Sequence, residues 1–389
     1  MKLKKFRNYF QGLNAGVLTN QSAFGKWPNR QNQYHFQALS QDVNVVRVFV
    51  PEHGLFAELQ DQVSGSGLEY HFPGTEFVNL YGDDEKSLVP SPEKLKGLDL
   101  IIIDIRDVGS RYYTFLTSAK YLLQAVFDFN REFQKNIEIV VVDSPNPIGG
   151  EVEGSPLQEK YASFVGETGV LHRHGLSPFE LLEYYNVQNR WNLSLHPLKG
   201  IYDEVDKSKE WIPPSPNIPT IQTCLVYVGQ CLLEGTNLSE GRGTTKPFEI
   251  FGADYIQPFD EKLLQRIYEP FQTPKFRNCF SLRPLKFQPT SHKFANTTIG
   301  GFQILVHDKQ AYPSLFFTLH LLRSIQEFYP KQFSFLNGPY EFRSDKQAIE
   351  LLVGDDFLLS YLFGKTNPKE ILDYLLECKI AWNQKLRSR

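Results

Sequence analysis

The sequence predicts an α/β protein built on an open parallel sheet, with a mixed α+β region in the second half of the chain. Four short apolar runs carry this prediction, and each is followed by polar or acidic side chains. Apolar runs of this length and composition are typical of buried parallel strands. The intervals between them leave room for crossover helices. The four runs are Ala15–Asn20, Val45–Val50, Leu100–Ile103 and Ile139–Val142.

The residues that follow these strands predict where a ligand binds. Ligands of open parallel sheets bind outside the carboxyl ends of the strands. Asn20, Glu52, Asp104 and Asp143 occupy those positions, so we expect them along one crevice. Three carboxylates and an amide favour an enzyme that acts on a neutral, hydroxyl-rich substrate.

Composition limits the classes of protein to consider. A chain of 389 residues suggests two domains or one large domain. The net charge of -3 and the lack of a long basic run argue against a nucleic-acid partner. No apolar stretch is long enough for a membrane span. The first residues lack the apolar core of a signal peptide, which predicts a cytoplasmic protein, or a periplasmic or extracellular one if this is a mature or trimmed form.

The four cysteines form no C-x-x-C pair, so we expect isolated, mostly buried thiols and neither a disulfide framework nor a zinc site. Helical signals are found at Gln31–Leu39 and Tyr112–Phe133, and Ser177 begins a capped helix that runs to about Tyr185. Four prolines between Trp211 and Pro219 predict a rigid connector between domains. Beyond it we predict a strand at Ile304–Val306 and helices at Tyr312–Phe328 and Ile349–Phe363.

Single motifs also allow simpler interpretations. Glu52 and His53 lie in a turn between Pro51 and Gly54, where a solvated glutamate and a packed histidine are also expected. Asp104 and Asp107 precede a helix, whose dipole they could stabilise. Asn146 follows Asp143 in a loop with two prolines and two glycines, where an Asx-turn is its commoner role.

Two further segments combine charge with glycine. His172 and His174 have no cysteine or acidic residue at metal-ligand spacing, so a metal site is not favoured. Arg173 between them could grip a carboxylate through two bonds, or lie in a surface loop. The segment from Glu234 to Thr244 places a carboxylate, an amide and Arg242 among three glycines. It matches no nucleotide-binding fingerprint, and a flexible surface loop is its alternative interpretation.

Taken together, the motifs resemble the exo-acting β-N-acetylmuramidases, a bacterial family of peptidoglycan recycling that was formerly a domain of unknown function. The resemblance extends from about Gly12 to Phe363, and its motifs occur in the family's order. It departs from the family pattern at Arg106, Ser144 and Leu55-Phe56-Ala57. The matching segments are Asn20–Ser22, Pro51–Gly54, Asp104–Thr114, Asp143 with Pro145–Pro147, Arg173–Gly175, Pro214–Asn217 and Glu234–Gly243.

The resemblance implies a Rossmann-like domain over residues 1–210 and a smaller α+β domain over residues 220–389, with the active site in the cleft between them. It implies hydrolysis of terminal, non-reducing N-acetylmuramic acid from a peptidoglycan-derived muropeptide or disaccharide, with no metal or cofactor. Glu52 and Glu234 match the catalytic pair. The lactyl carboxylate of this sugar calls for an arginine, for which Arg173 and Arg242 are candidates. The substrate-binding candidates are Asn20, His53, Asp104, Asp143, Arg173, His174, Asn217, Asn237 and Arg242.

Two other functions compete with a glycosidase. A non-catalytic binder of cell-wall sugars could use the same Rossmann-like fold, because a fold alone determines no chemistry. A Rossmann-type enzyme or sensor could instead hold a nucleotide in the same crevice, but the sequence lacks the glycine fingerprint of such proteins.

Overall fold

The computed structural model describes residues 1–27, 32–52, 54–56, 72, 74–82, 85–202 and 211–388. The chain forms two units, each built from several segments. The first unit comprises Met1–Val108, Tyr113–Gly149 and Leu176–Pro216. The second unit comprises Gly109–Tyr112, Gly150–Gly175 and Asn217–Arg389.

A six-stranded parallel sheet organises the first unit. Its strands are β1 (Asn14–Thr19), β4 (Asn44–Val50), β5 (Glu76–Asn79), β6 (Leu100–Asp104), β7 (Glu138–Val142) and β8 (Leu195–Leu198). Their order is β5-β4-β1-β6-β7-β8, and every neighbouring pair is parallel. The predicted α/β class and its four parallel strands are confirmed. The two strands that the sequence did not reveal are short edge strands without a long Val/Ile run.

The sheet is covered by helices α1 (Leu3–Phe10), α2 (His35–Leu39), α3 (Phe115–Phe133) and α4 (Pro178–Gln188). The start of α4 is confirmed, because the Ser177 hydroxyl accepts the Glu180 N–H while the Glu180 carboxylate accepts the Ser177 N–H. Helix α3 begins at Phe115, three residues later than the predicted start at Tyr112. The reason is that Gly109–Tyr112 belongs to the second unit.

The predicted helix at Gln31–Leu39 is wrong over its first half. Asn32–Tyr34 is a strand, β3, that pairs antiparallel with β2 (Phe24–Lys26). The ring of Tyr34 meets the ring of Phe24 edge to face, with centroids 5.2 Å apart, and this cross-strand contact stabilises the hairpin. Helix α2 is therefore short, and Gln31 lies outside the described residues.

The second unit contains a smaller, antiparallel sheet of β9 (Ile250–Ala253), β10 (Phe280–Phe287) and β11 (Ile299–Val306), in the order β10-β11-β9. The predicted strand Ile304–Val306 is the end of β11, and the predicted helix Tyr312–Phe328 begins at Ser314. The helices are α5 (Ile221–Gln230), α6 (Glu261–Tyr268), α7 (Ser314–Phe328), α8 (Ala348–Val353), α9 (Asp356–Leu362) and α10 (Pro368–Arg387).

One predicted helix, Ile349–Phe363, is two helices in the structure. Gly354 ends α8 with a φ of 61°, a left-handed conformation that glycine adopts without strain. The Asp355 side chain then accepts the N–H groups of Phe357 and Leu358 and so begins α9. The apolar periodicity continues through both helices, which explains why the break was missed.

Two segments that precede the boundary expected at residues 210–220 belong to the second unit. They are Gly109–Tyr112 and Gly150–Gly175. Arg173 and Glu153 bond to each other through their backbones, at 2.9 and 3.1 Å. Later in the chain the division falls between Pro216 and Asn217, inside the proline-rich segment.

All four cysteines are buried thiols that take part in no disulfide: Cys224, Cys231, Cys279 and Cys378. Across the described ranges, no helix combines the length and apolar character needed to cross a membrane.

Candidate active site

The four strand-end residues lie on neighbouring strands of the first unit. Asp104 ends β6, while Asn20, Glu52 and Asp143 directly follow β1, β4 and β7. These strands are adjacent and parallel in the order β4-β1-β6-β7. The four residues therefore share the carboxyl edge of the sheet, as predicted.

Glu52 is a buried carboxyl group held by a threonine. It is 8% exposed, and its Oε2 accepts a 2.9 Å hydrogen bond from the Thr114 hydroxyl. Thr114 is the residue before α3, but its hydroxyl does not cap the helix. The threonine instead orients Glu52 from the start of the neighbouring helix. His53 lies outside the described residues.

Asp104 is enclosed by two partners that sequence reasoning missed. Its Oδ2 is 2.8 Å from His35 Nδ1, and its Oδ1 accepts a 2.5 Å bond from the Tyr202 hydroxyl. Both Asp104 and His35 are 0% exposed. Both carboxylate oxygens of Asp104 therefore already have partners, which indicates a structural role at this edge of the sheet. No local signal in the sequence connects these residues, which are 69 and 98 positions apart.

A buried arginine, Arg106, lies close to Tyr202, one of the two partners of Asp104. The guanidinium of Arg106 is 4.9 Å from the ring centre of Tyr202 and 5.7 Å from that of Trp211. Arg106 is 5% exposed, so the two rings hold a largely buried cation beside the strand ends. The signal for it was visible, since Arg106 lies in the segment from Asp104 to Thr114 and departs from the family pattern.

Asn20 and Asp143 differ in how much of their bonding capacity is used. The Asn20 Oδ1 accepts the Ser22 hydroxyl at 2.7 Å, and its buried Nδ2 has no hydrogen-bond partner among the described residues. Asp143 accepts the Phe179 N–H at 3.3 Å at the start of α4. Burial raises the pKa of Asp143 against the hydrogen bonds that it accepts. Asp143 thus stabilises the N-terminus of α4, whereas the side-chain amide of Asn20 keeps an N–H group that can donate to a ligand. Nearby, Asn146 makes the expected turn to the Ile148 N–H.

Glu234 is the centre of the second unit's candidate site. It lies in a short 3₁₀ helix, Cys231–Gly235, and its side chain is 16% exposed. Arg242 donates to its Oε1 and Tyr340 donates to its Oε2, both at 2.6 Å. Tyr340 is 106 residues away in the chain and was not predicted.

The charges around Glu234 keep it ionised. Burial by itself raises the pKa of this carboxyl, but Arg242 and the hydrogen bond from Tyr340 outweigh burial, so that the pKa of Glu234 lies below its ordinary value. Arg242 also lies 3.6 Å from Glu240, whose other oxygen accepts a 3.0 Å bond from Lys293. Two carboxylates and two cations thus form one network.

The segment from Glu234 to Thr244 is ordered by its own packing, in contrast to the alternative of a flexible loop. Gly241 has a φ of 80°, and a Cβ atom there would lie 2.6 Å from the Ile250 carbonyl oxygen. The Asn237 Oδ1 accepts the Tyr255 hydroxyl at 3.0 Å, and its Nδ2 donates to the Gln332 carbonyl at 2.7 Å. Asn237 therefore fastens the loop rather than presenting a free amide.

Asn217 begins the last segment of the second unit and keeps a donor available. It is 6% exposed, and its Nδ2 has no hydrogen-bond partner within the part of the chain that the structure describes. It therefore suits the binding of a ligand better than Asn237 does.

The segment with two histidines is a structural core. His172 accepts the Ser155 N–H at Nδ1 and contacts the Val353 carbonyl at Nε2, and burial holds its pKa well below the ordinary value. His174 is 0% exposed. Among the described residues, no three side chains of the types that bind metals lie together as a metal site requires.

Arg173 lines a cavity of about 110 Å³ in the second unit, together with Glu153. Burial lowers the pKa of Arg173, and Glu153 opposes that effect. Glu153 accepts the Leu315 and Phe316 N–H groups at the start of α7, yet burial raises its pKa to about 7.

Both halves of the chain match models of one protein family. The N-terminal model of exo-β-N-acetylmuramidase NamZ matches residues 15–222, and the C-terminal model matches residues 225–388. The chain belongs to the exo-β-N-acetylmuramidase NamZ family. The family resemblance inferred from the motifs is confirmed.

One curated relative agrees with the NamZ assignment, and two solved structures share the fold of this chain. The chain is 33% identical over 380 residues to peptidoglycan β-N-acetylmuramidase NamZ of Bacillus subtilis, covering 95% of this chain and 85% of the relative. One DUF1343 family protein of Bacteroides fragilis has a TM-score of 0.79 at 23% identity, covering 99% of this chain and 96% of its own. A second has a TM-score of 0.68 at 24% identity, covering 99% and 95%. At these identities the likeness to the two structures concerns the fold.

Proposed function

We propose that the protein is an exo-glycosidase that hydrolyses terminal, non-reducing N-acetylmuramic acid from peptidoglycan fragments. The observation that carries this proposal is the family match over both halves of the chain, together with the curated relative, which is a peptidoglycan β-N-acetylmuramidase. Cleavage of a glycosidic bond ordinarily needs two carboxyl groups. Glu52 and Glu234 are our candidates for this pair.

Glu234 is suited to the role of base or nucleophile. Arg242 and Tyr340 stabilise its carboxylate, and its pKa lies below the ordinary value. A group that stays ionised near neutral pH cannot supply a proton to the leaving oxygen. The charge network of Glu234 therefore favours the role of base or nucleophile over that of general acid.

Glu52 then becomes the proton donor. Its setting at the carboxyl edge of the parallel sheet is where ligands of such folds bind. The Thr114 hydroxyl donates to Oε2 and sets the orientation of the carboxyl group. A preorganised carboxyl group contributes to catalysis, because its proton must be transferred to one particular oxygen of the substrate.

The lactyl carboxylate of N-acetylmuramic acid needs a cationic partner. Arg242 is already bound to Glu234 and lies 3.6 Å from Glu240, so its charge is used within the protein. Arg173 is 4% exposed and has acidic neighbours of its own, Glu153 and Glu151, but it also lines a cavity. Of the two arginines considered from the sequence, Arg173 is the one we assign to the lactyl group.

A comparison of leaving groups tests the roles of the two glutamates. A 4-nitrophenoxide leaves with little protonation, whereas the sugar of a MurNAc-GlcNAc disaccharide needs an acid. We expect Glu52→Gln to reduce turnover of the disaccharide by about 10²–10⁴-fold and to spare the 4-nitrophenyl glycoside. Glu234→Gln should impair both substrates. Glu269→Gln, at a carboxylate that is 66% exposed, serves as the control.

The same assay separates an enzyme from a sugar-binding protein. A wild-type protein that binds N-acetylmuramic acid but cleaves neither substrate would be a binder, and the proposed function would be wrong. A folded Glu52→Gln variant with normal turnover of the disaccharide would overturn the assignment of Glu52 alone. Thermal melting of each variant shows that it is folded.

A further inference from the structure

A shallow depression on the second unit adjoins the loop that carries Glu234. Its volume is about 630 Å³. Two of its lining side chains are aromatic, two are amides and one is a carboxylate. The lining residues are Asn237, Asp254, Tyr255, Phe294 and Gln332.

Packing holds the Tyr255 side chain in place, and the backbone of Phe294 is constrained. The Tyr255 ring packs against the Tyr329 ring with centroids 5.4 Å apart, and its hydroxyl donates to Asn237. Phe294 has a φ of 61°, an unfavourable conformation for a residue with a Cβ atom. Such strain occurs where the surrounding structure enforces it, often at ligand sites. The depression therefore offers one ring that is fixed by its contacts, Tyr255, and a second ring, Phe294, on a constrained backbone.

The polar groups of the depression are arranged at its rim. Asp254 and Gln332 are exposed, whereas the amide of Asn237 is used to fasten the walls. Asp254 can accept hydroxyl groups, and the Gln332 side chain can donate and accept. Apolar ring faces with a few polar groups at the edge suit a neutral sugar ring, which has an apolar face and an equatorial belt of hydroxyls.

Two lining residues of the depression are close in the sequence to residues of the Glu234 network. Asn237 follows Glu234 by three residues in the sequence, in the same ordered loop. Phe294 follows Lys293, whose ammonium donates to the Leu233 carbonyl at 2.8 Å and to Glu240 at 3.0 Å. Asn237 and Phe294 are thus close in the chain to residues of the Glu234 network.

We infer that this depression binds a neutral sugar of the aglycone, the N-acetylglucosamine that follows the terminal N-acetylmuramic acid. This inference rests on the proposed function, because it places the part of the substrate that the cleaved sugar leaves behind. Tyr255 and Phe294 support the ring, and Asp254 and Gln332 bind its hydroxyls. Binding energy gathered there would be available to the chemical step.

Two substrates that differ only in the leaving group test the inference. The MurNAc-GlcNAc disaccharide fills the depression, whereas N-acetyl-β-muramyl fluoride has a one-atom leaving group and cannot. We expect Phe294→Ala and Asp254→Asn each to lower kcat/KM for the disaccharide roughly tenfold, equivalent to about 1.4 kcal/mol. The same variants should hydrolyse the fluoride at the wild-type rate. Phe259→Ala, at a phenylalanine that is 75% exposed and does not line the depression, is the matched control.

Each other outcome has a definite meaning. Equal losses on both substrates would show a merely structural role, and no loss on the disaccharide would show that the sugar binds elsewhere; either result overturns the inference. A wild-type protein that hydrolyses neither substrate would instead refute the proposed function. Tyr255→Phe keeps the ring but removes the bond to Asn237, so it should affect the disaccharide less than Phe294→Ala does.

Discussion

Arg242 donates from Nη2 to Oε1 of Glu234 across 2.6 Å, while Tyr340 donates to the other oxygen of the same carboxylate at the same distance. Glu52, in comparison, accepts a hydrogen bond from a neutral hydroxyl, that of Thr114. The two glutamates matched one catalytic pair in the sequence, and the structure gives their carboxyl groups different hydrogen-bond donors. Environments that differ in this way suit an acid and a base for different roles.

The first prediction concerns the pH dependence of activity. Arg242→Gln removes the charge that lowers the pKa of Glu234, so that this carboxyl becomes protonated at a higher pH. A base works only when ionised, so the acid limb of the kcat/KM profile should move to higher pH. We also expect kcat/KM near neutral pH to fall roughly ten- to a hundredfold, as for the loss of a charged hydrogen bond.

Tyr340→Phe is the graded control for that profile. It removes one hydrogen bond and keeps the positive charge, so its acid limb should move in the same direction but less far. An acid limb that stays in place in Arg242→Gln would mean that Glu234 does not act as the base.

The second prediction concerns the choice of sugar. Arg173→Ala should weaken turnover of N-acetylmuramic acid glycosides far more than that of N-acetylglucosamine glycosides, because only the former carry a lactyl carboxylate. The loss of a charged contact of this kind costs about 1.5–3 kcal/mol. Arg242→Ala should impair both sugars alike, since its partner is Glu234. Ratios of kcat/KM for matched pairs of aryl glycosides measure both effects, and an unchanged ratio in Arg173→Ala would exclude it as the lactyl partner.

The third prediction concerns stability and pH at Glu153. Burial raises its pKa to about 7 in the folded protein, well above that of an unfolded chain. The folded state therefore binds an extra proton between the two values, and the resulting stability is present at low pH and lost as the pH rises through about 7. Glu153→Gln carries no such proton, so its free energy of unfolding should decline less than that of the wild type between pH 5 and pH 8.

Urea unfolding at several pH values tests this difference, which we expect to be about 1–3 kcal/mol. The amide can still accept the N–H groups at the start of α7, so the helix terminus remains capped. Parallel pH profiles for the two proteins would show that Glu153 titrates normally.

The fourth prediction concerns the hydrogen bond from Tyr202 to Asp104, at the carboxyl edge of the parallel sheet. Tyr202→Phe removes the hydroxyl that donates to Asp104 across 2.5 Å and leaves a buried carboxylate oxygen without that partner. We expect the free energy of unfolding to fall by about 1.5–3 kcal/mol. Tyr9→Phe, at a tyrosine that is 67% exposed, should leave stability unchanged. Equal stability of Tyr202→Phe and the wild type would show that Asp104 does not depend on this bond.

The carboxyl edge of the sheet was predictable because it depends on local pattern. Each central strand is an apolar run of five to seven residues, and a parallel arrangement brings all carboxyl ends to one edge. That Asn20 and Glu52 share this edge follows from these two facts alone. The capped start of α4 was equally predictable, because Ser177 and Glu180 bond to each other within one helical turn.

Short or interrupted elements were less predictable. The hairpin of β2 and β3 has only three residues in each strand, too few for an alternating pattern to be recognised. The break at Gly354 occurs inside a continuous apolar pattern, and a single glycine is compatible with either a helix interior or a helix end.

The sequence by itself determined the fold class and the order of the motifs and proposed the two glutamates, because these depend on residues close together in the chain. Only the tertiary structure decided what each side chain does. It places His35 and Tyr202, which are 69 and 98 positions away in the chain, against Asp104. It also places Tyr340, 106 positions away, against Glu234. The protonation state of a buried carboxyl depends on which charges and donors surround it in space. Residues distant in the chain supply most of those neighbours, and only folding brings them together.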